Sequence, residues 1–333
     1  MVNSADVVCG LAWGDEAKGK ITAHLAASQK YDCVARWAGG SNAGHTIWMA
    51  PGAVYKTHVI PSGVFFNKPS IIGPGCVVHK KKFFKEMEYL DSRGFDTSLV
   101  KISPRAHVVT DSHIEADTSK LVASLGTTGS GIAPCYSAKA ARVGLQAKDV
   151  FSSDFLWDEK LSGDVLCEGA QGFWLDLDWG NYPYVTSSTT LPYGACSLGF
   201  PTQKIRKIYG AAKIYDTRSG IDPLFPETLF DDPDLELIGE IGKEYGVTTG
   251  RKRKVNWLNL TMLKKAITMT GTTDVIISKC DILEAAEKYA LYDEGVLIKF
   301  KSLENMKTHI SESIFNQCEM VEAVTYSSSL SGI

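Results

Sequence analysis

A glycine-containing loop, set between a short apolar run and a helix-forming segment, is the feature that most constrains how this chain of 333 residues can fold. Residues 8–20 read VCGLAWGDEAKGK, so apolar residues lead into a loop from Gly10 to Gly19, and Lys20 precedes the helix-forming residues 21–28. Backbone N–H groups in such a loop and the dipole of the following helix both attract anions. The pattern therefore favours a phosphate-binding loop over an ordinary turn between a strand and a helix.

Two carboxylates inside this loop narrow its chemistry. Asp15 and Glu16 would repel a polyphosphate, so a loop that only bound phosphate would avoid them. A carboxylate beside phosphates is expected where it holds Mg²⁺ or removes a proton. Residues Gly14 to Lys20 fit the spacing G-x-x-x-x-G-K-[ST], but Ile21 replaces the Mg²⁺-binding hydroxyl of that pattern, so Asp15 would supply the metal contact. The loop indicates phosphoryl transfer rather than nucleotide storage.

A second glycine cluster follows a predicted strand at residues 31–37. Residues 38–46 read AGGSNAGHT, and the glycines allow the backbone to approach a ligand closely. Asn42 and Thr46 can hydrogen-bond such a ligand, and His45 can act as an acid or a donor near neutral pH. A lone histidine is more often structural, but its place in a glycine-rich loop soon after a phosphate-binding loop favours a functional role.

These two motifs resemble those of the adenylosuccinate synthetases. The further motifs that match this family, in the same order, are LGTTGSG at 125–131, EGAQG at 168–172, YPYVTSS at 182–188, TTGRKRK at 248–254 and SKCD at 278–281. The chain is identified as a member of the family, in a compact form that resembles the archaeal and phage versions, because the stretch between Arg142 and Glu168 lacks a helical insertion. The resemblance implies GTP-dependent ligation of L-aspartate to IMP through 6-phosphoryl-IMP, which yields adenylosuccinate, GDP and phosphate.

The resemblance also implies a set of site residues. Asp15 would remove the N1 proton of IMP, His45 would donate toward the departing β-phosphate, and Mg²⁺ would bind Asp15 and the carbonyl of Gly44. Lys279 and Asp281 resemble a guanine-recognition pair, which favours GTP over ATP. The predicted nucleotide-binding residues are Gly14, Glu16, Ala17, Lys18, Gly19, Lys20, Gly44, Thr46, Arg253, Lys279 and Asp281. The predicted substrate-binding residues are Asn42, Thr127, Thr128, Arg142, Gln171, Thr186, Arg218, Thr249, Arg251 and Arg253. Because the family uses the arginine matched by Arg142 from the neighbouring subunit, a homodimer is implied.

The chain departs from the family pattern at several positions. Ala17 replaces a glycine of the first loop, Ser130 stands where many members have arginine, and Ser219 lies in a changed segment near where the family meets the ribose. The chain also ends in SSSLSGI, without the STGP-like segment that lies under the guanine in other members, which bears on the choice between GTP and ATP.

Two other functions stay open at this point. Compact phage relatives act on dGMP and make 2-aminoadenylosuccinate, with ATP or GTP as phosphoryl donor. A 2-amino group would crowd the Asp15 carboxylate, so Asp15 argues for a 2-unsubstituted hypoxanthine. The other alternative is a nucleotide-binding regulatory protein that has lost catalysis. Asp15, His45, Arg251 and Arg253 together argue against it.

Composition excludes several classes of partner. A formal net charge of −3 gives no reason to expect nucleic-acid or membrane binding. No apolar stretch has the length of a transmembrane helix, and the N-terminus lacks the layout of a signal peptide. The eight cysteines are scattered without a C-x-x-C pair, so neither a zinc site nor a disulfide framework is indicated, and we expect reduced thiols in a cytoplasmic protein.

Apolar runs alternate with amphipathic segments along the chain, which predicts an α/β fold with a mainly parallel central sheet flanked by helices, here the P-loop-like adenylosuccinate synthetase fold. Predicted strands are Asp6 to Cys9, Asp32 to Arg36, Ser70 to Ile72, Leu99 to Ile102, Val165 to Cys167, Ile208 to Ile214 and Asp274 to Ser278. Predicted helices are Lys18 to Ser28, Lys81 to Asp91, Asp111 to Ser124 and Asn256 to Thr270. We expect one continuous domain over 1–333 with loop excursions and a short hairpin near 289–300.

Overall fold

A parallel sheet of eight strands lies at the centre of the computed structural model, which describes residues 1–28, 30–49, 52–225, 232–246 and 250–328. The strands of these residues, in chain order, are β1 (Val2–Gly10), β2 (Cys33–Arg36), β3 (His45–Met49), β4 (Ala53–Thr57), β5 (Ser70–Ile72), β6 (Val77–His79), β7 (Val100–Ile102), β8 (His107–Val109), β9 (Gly163–Glu168), β10 (Ile205–Lys213), β11 (Tyr215–Arg218), β12 (Lys254–Asn259), β13 (Asp274–Ser278), β14 (Ala290–Asp293), β15 (Val296–Lys299) and β16 (Ala323–Tyr326). The central sheet has the order β16-β13-β10-β1-β9-β2-β5-β7, and every pairing in it is parallel.

Helices cover the sheet, as the alternation of apolar and amphipathic segments predicts. They are α1 (Lys18–Ala27), α2 (Lys80–Asp91), α3 (Asp111–Ala116), α4 (Val122–Leu125), α5 (Ile132–Ala140), α6 (Pro233–Ile241), α7 (Leu260–Thr270), α8 (Cys280–Ala286) and α9 (Leu303–Gln317). Short 3₁₀ helices occur at Ser62–Phe66, Thr97–Leu99, Ala147–Asp149, Ser153–Phe155, Phe173–Leu175, Pro192–Leu198 and Thr202–Lys204. Because helices lie on both faces, the central strands are almost continuously apolar; Val7, Val8 and Ile277 are fully buried. No helix of the described residues is long and apolar enough to cross a lipid bilayer.

Three smaller sheets surround the central one. Strands β11, β12, β14 and β15 form a sheet in that order, β3 pairs with β4, and β6 pairs with β8. The predicted hairpin near 289–300 is confirmed as the antiparallel pair β14–β15, which closes between Asp293 and Val296. The predicted parallel sheet is also confirmed, and two of its strands, β5 and β13, have the predicted bounds. The expectation of one continuous domain stays a prediction.

The predicted helix from Asn256 to Thr270 is wrong in its first turn. Residues 254–259 form β12, which pairs with both β11 and β14, and the helix begins only at Leu260. The side chain of Asn259 accepts a hydrogen bond from the backbone N–H of Met262, so Asn259 caps the helix. Pairing on both edges of the strand and burial of Trp257 outweigh the helical tendency of this segment.

The predicted helix from Asp111 to Ser124 is interrupted by a π turn. Residues Asp117–Leu121 form a π-helical segment between α3 and α4. Such a turn contains one more residue than an α-helical turn. Asp117, at its start, is buried, and its carboxylate accepts hydrogen bonds from the loop that follows α4. The sequence did not predict helices α5, α6, α8 and α9, nor the strands other than the seven predicted ones and the hairpin strands β14 and β15.

Candidate active site

A cleft of about 670 Å³ opens at the carboxyl ends of the central strands. Loops that follow β1, β2, β9 and β13 line it, together with Lys213 at the end of β10, and ligands bind at this edge in parallel α/β sheets. The predicted site residues that line the cleft are Gly14, Asp15, Glu16, Ala17, Lys18, Gly19, Lys20, Asn42, Gly44, His45, Thr46, Thr127, Thr128, Gln171, Thr186, Arg218, Arg251, Arg253, Lys279 and Asp281. The fold thus brings together motifs that are scattered over most of the sequence.

Two predicted residues fall outside this set. Arg142 follows α5 with a positive φ of 66°, is exposed, and does not line the cleft of its own chain. Thr249 lies outside the described residues. Its neighbours Arg251 and Arg253 are described and line the cleft.

Glu16 and Lys18 of the first loop neutralise each other. The carboxylate of Glu16 accepts hydrogen bonds from the backbone N–H groups of Ala12 (3.1 Å) and Gly14 (2.7 Å), and its other oxygen lies 2.6 Å from the ammonium of Lys18. Glu16 and Lys18 are both buried. Glu16, an acidic residue that is unexpected in a phosphate loop, therefore holds the loop in its conformation through these buried contacts.

The end of this loop is open to an anion. Asp15 and Ala17 have positive φ values of 62° and 65°, and Ala17 occupies the N-cap of α1 without any side-chain hydrogen bond to the helix. The N-terminal N–H groups of α1 are thus left without a side-chain cap, at the positive end of the helix dipole. A Cβ atom on Gly19 would lie 2.7 Å from the Cβ of His45, so only glycine lets the second loop approach this helix.

His45 is held by a buried carboxylate. Its Nδ1 lies 2.5 Å from Oε1 of Glu168, and Oε2 of Glu168 accepts a hydrogen bond of 2.8 Å from the backbone N–H of Ser62. Burial lowers the pKa of His45, although Glu168 opposes this shift. Burial alone would raise the pKa of Glu168, but His45 and Arg36 outweigh it and keep this pKa below its ordinary value. We infer a neutral imidazole that donates its Nδ1–H to an ionised Glu168.

The threonine loop, residues 125–131, is fixed by Asp117. This buried carboxylate accepts a hydrogen bond of 2.6 Å from the hydroxyl of Thr127 and one of 2.8 Å from the N–H of Gly131. On its other side, the guanidinium of Arg251 donates to the carbonyl of Gly126 at 3.1 Å. The fold therefore joins the threonine loop to the basic segment 250–254.

Several polar atoms in the cleft wall have no hydrogen-bond partner among the described residues. They are Oε1 of Gln171, Nη1 of Arg218 and Oγ of Ser219, all buried. Gln171 also has a positive φ of 55°, a left-handed backbone conformation that costs free energy in a residue other than glycine. Buried polar atoms are normally hydrogen-bonded, so these groups indicate that a polar ligand completes the wall.

A cluster of charges links the basic segment to the first loop. The guanidinium of Arg253 lies 2.9 Å from Oδ2 of Asp15 and 2.6 Å from Oε2 of Glu244. Glu244 also receives the ammonium of Lys213 at 3.0 Å and the hydroxyl of Tyr215 at 2.7 Å. Burial would raise the pKa of Glu244, but Lys213, Arg253 and Lys279 lower it to about 2.

The far end of the cleft contains the predicted base-recognition pair. Lys279 has a positive φ of 67° at the N-cap of α8, and its ammonium donates to the carbonyl of Gly242 at 3.0 Å. Asp281 lies in the first turn of α8 and lines the cleft. The ammonium of Lys20 donates to the hydroxyl of Ser327 at 2.8 Å, so the chain beyond β16 also reaches the phosphate loop.

The sequence predicts no site role for Glu168, Glu244, Lys213 or Asp117. Glu168 carried a usable signal, because a polar residue directly after a buried parallel strand lies at the ligand edge of the sheet. Lys213 ends β10 in the same way. Glu244 and Asp117 lie in polar segments with no periodicity that distinguishes them from exposed acidic residues.

The fold and the cleft define an α/β enzyme that binds phosphorylated ligands at the carboxyl ends of parallel strands. Comparison with known families gives a match to adenylosuccinate synthetase over residues 7–164 and 153–322. The chain belongs to the adenylosuccinate synthetase family, and it is a C–N ligase of that type. The family resemblance drawn from the sequence motifs is thereby confirmed.

Individual proteins are similar to this chain in sequence and in structure. The adenylosuccinate synthetase of Lysinibacillus sphaericus is 38% identical over an alignment of 340 positions, which covers 84% of this chain and 78% of that protein. That of Brevibacillus brevis is 39% identical, covering 85% and 79%. Fully ligated adenylosuccinate synthetase from Plasmodium falciparum has a similar structure, with a TM-score of 0.82 at 28% identity over 96% of both chains. The succinoaminodeoxyadenylate synthetase of cyanophage S-2L, bound to dGMP and dATP, shares the fold with a TM-score of 0.75 at 20% identity over 98% and 92%.

Proposed function

We propose that this cleft ligates L-aspartate to IMP at the expense of GTP, with Asp15 and Arg253 at its centre. The observation that carries the proposal is the 2.9 Å contact between these two side chains. Asp15 is the candidate base for the purine and Arg253 a candidate ligand for the substrate L-aspartate, and the two residues are distant in sequence. Their contact supports a single site in which both substrates meet.

The chemistry requires two steps. The 6-oxo group of hypoxanthine is a poor leaving group, so the γ-phosphoryl group of GTP is first transferred to O6 and GDP departs. Asp15 takes the N1 proton, which makes O6 nucleophilic. The amine of L-aspartate then attacks C6, the C6–O6 bond breaks with release of phosphate, and the amine loses a proton to give adenylosuccinate.

His45 assists the departure of GDP in this proposal. With its Nδ1–H directed to Glu168, only the imidazolium can donate from Nε2. The anionic phosphates of GTP and the ionised Glu168 both favour that cation, which opposes the effect of burial on the pKa. Donation from His45 would offset the charge that builds on the β-phosphate.

Mg²⁺ fits the oxygen donors of this region. The carboxylate of Asp15 and the backbone of Gly44 line the same cleft, and Mg²⁺ in such sites binds one or two protein oxygens together with substrate phosphates. Asp15 and Gly44 would hold the ion, which would neutralise charge on the transferring phosphoryl group. The remaining phosphate contacts would come from Lys18, Gly19, Lys20 and the N-terminus of α1.

The monophosphate and L-aspartate would bind to adjoining parts of the cleft wall, since Arg251 contacts the threonine loop. Thr127, Thr128, Gln171 and Thr186 would bind the monophosphate, and the unpaired Nη1 of Arg218 supports a ligand on the same side. Arg251 and Arg253 would bind the carboxylates of L-aspartate, since arginine pairs with carboxylates through two parallel hydrogen bonds. Asp281 would accept hydrogen bonds from N1–H and the 2-amino group of guanine, which disfavours ATP.

A homodimer in the cytoplasm completes the proposal. Arg142 does not line its own cleft, and its neighbours Val143 and Leu145 are 77% and 48% exposed. Val143 and Leu145 are exposed apolar residues beside Arg142, which is itself a predicted site residue. This arrangement supports a subunit contact at this surface, with Arg142 entering the partner's cleft. All eight cysteines are free thiols, which fits a reducing compartment.

The test is a matrix of product formation with L-aspartate and Mg²⁺, in which IMP, dIMP, GMP and dGMP are crossed with GTP and ATP. We expect adenylosuccinate from IMP and GTP. Turnover of dGMP alone would move the protein to 2-aminoadenylosuccinate synthesis. Tight GTP binding without turnover of any monophosphate would make it a regulatory protein.

A further inference from the structure

We propose that Glu244 is the positioning residue of the L-aspartate site, where it holds Arg253 in place while ligands displace Asp15 from that arginine. The inference rests on the proposed function, because it takes Arg253 as a ligand of L-aspartate. Glu244 follows α6 and contacts the cleft only through other side chains, so it would act through Arg253 and not on the substrate itself.

Two kinds of contact join Glu244 to Arg253. The backbone N–H of Arg253 donates to the carbonyl of Glu244 at 2.9 Å, and the guanidinium Nη1 lies 2.6 Å from the carboxylate. Backbone and side chain of the arginine are therefore fixed by the same residue. Glu244 is itself fixed, because Lys213 and Tyr215 bind its carboxylate from the sheet.

The two carboxylates on Arg253 differ in exposure. Asp15 is 31% exposed and lines the cleft, whereas Glu244 is 1% exposed. A ligand that enters the cleft can compete for the contact between Asp15 and Nε, but it cannot reach Glu244. Arg253 therefore stays attached through Nη1 while its remaining donors turn to a carboxylate of the substrate.

The segment 242–246 also touches the opposite part of the cleft. The carbonyl of Gly242 accepts from the ammonium of Lys279 at 3.0 Å, and that ammonium lies 3.9 Å from Glu244. The segment that holds Arg253 thus contacts Lys279, a member of the predicted guanine-recognition pair. Three cations around one enclosed carboxylate keep Glu244 ionised, in line with its pKa of about 2.

If Glu244 had a purely structural role, its substitution would have different effects on stability and kinetics. If it only neutralised the buried Lys213, its loss would lower the stability of the protein and affect all substrates alike. If it positions Arg253, its loss would act on L-aspartate in particular, and this effect would vanish once Arg253 is gone. Non-additivity of the two substitutions is the readout that separates these roles.

The experiment compares the full-length wild type with Glu244→Gln, Arg253→Leu and the double variant. Glu240→Gln is the matched control, since Glu240 is exposed on α6 of the same segment. Thermal unfolding and steady-state kinetics are measured for each. We expect Glu244→Gln to raise the KM for L-aspartate by roughly 10-fold or more, with the KM for the monophosphate changed by less than about twofold. The double variant should match Arg253→Leu within about twofold.

Two results would overturn the inference: an unchanged KM for L-aspartate in Glu244→Gln, or effects of the two substitutions that multiply. If Glu244→Gln does not fold, Glu244→Asp keeps the charge but withdraws it by one methylene, and the same KM ratio decides the matter. A wild type that makes no adenylosuccinate would refute the proposed function instead, so the two failures are distinguishable.

Discussion

The two sides of the cleft balance their charges in different ways. On the phosphate side, Glu16 pairs with Lys18 two positions along the same loop. On the aspartate side, Arg253 pairs with Asp15, which is distant in sequence, and with Glu244, which in turn pairs with the distant Lys213 on β10. A local pair is present as soon as its loop forms, whereas the distant pairs need the assembled fold. We infer that the phosphate side is preorganised by its own sequence and that the aspartate side is shaped by tertiary structure.

The largest effect is expected at Asp15, where the two sides meet. Asp15→Ala should lower kcat by about 10²–10⁴-fold, the contribution typical of a general base. The melting temperature should change little, because this side chain is partly exposed in the cleft. Steady-state assays with IMP, GTP and L-aspartate measure kcat, and thermal unfolding measures the melting temperature. Substantial activity in Asp15→Ala would remove it as the base.

Arg251 and Arg253 separate substrate binding from stability on the aspartate side. Both Arg251→Leu and Arg253→Leu should raise the KM for L-aspartate. Only Arg253→Leu should also destabilise the protein, by about 3–5 kcal/mol, because it leaves the buried Glu244 with one cation fewer. Arg251 is exposed, and its guanidinium donates to the backbone carbonyl of Gly126. Urea unfolding of both variants provides the check, and equal losses of stability would contradict the comparison.

Asp216 shows what happens to a buried carboxylate that makes no salt bridge within the described residues. Burial raises its pKa to about 7, against the hydrogen bond from the N–H of Asn259. Since the pKa is raised on folding, this group's stabilisation is present below about pH 4 and is lost as the pH rises through about 7. Asp216→Asn should therefore gain stability over the wild type across that interval, by a few kcal/mol at about pH 8. Denaturant titrations at pH 5 and pH 8 compare the two; a pH-independent difference would be the contrary result.

The smallest effect concerns the strained backbone of the phosphate loop. Ala17 has φ 65° and ψ 27°, a left-handed conformation that glycine adopts freely. Ala17→Gly should stabilise the protein by about 0.5–1 kcal/mol and leave turnover close to that of the wild type. Chemical denaturation detects a change of this size, and a loss of stability would show that the strain is relieved elsewhere.

The sequence predicts the phosphate side of the cleft better than the aspartate side. The first loop could be predicted because its functional residues, Gly14 to Lys20, are contiguous and their spacing has a physical meaning. The parallel sheet could be predicted from the apolar runs that feed these loops. Glu244 could not be, because nothing near it in the sequence distinguishes it from the exposed Glu240; its partners are Lys213 on β10 and Arg253 in the basic segment.

The errors in secondary structure have a similar origin. Residues 254–259 alternate Val255 and Trp257 with polar neighbours, a pattern that suits a strand, but the helix-forming residues after Asn259 dominated the prediction. The π turn at Asp117–Leu121 depends on hydrogen bonds to Thr127 and Gly131. Such tertiary partners are invisible to a periodicity that considers one segment at a time.

The position of β1 in the centre of the sheet has a consequence for synthesis on the ribosome. Its two neighbours are β9 and β10, which leave the ribosome long after it. At translation rates of about 5–20 residues per second, β1 waits on the order of ten seconds or more for its first partner. During this time its apolar side chains are exposed to chaperones and to other nascent chains. A truncated product that stops before Lys213 cannot enclose its own first strand, so we expect such fragments to aggregate or be degraded rather than to persist as partial enzymes.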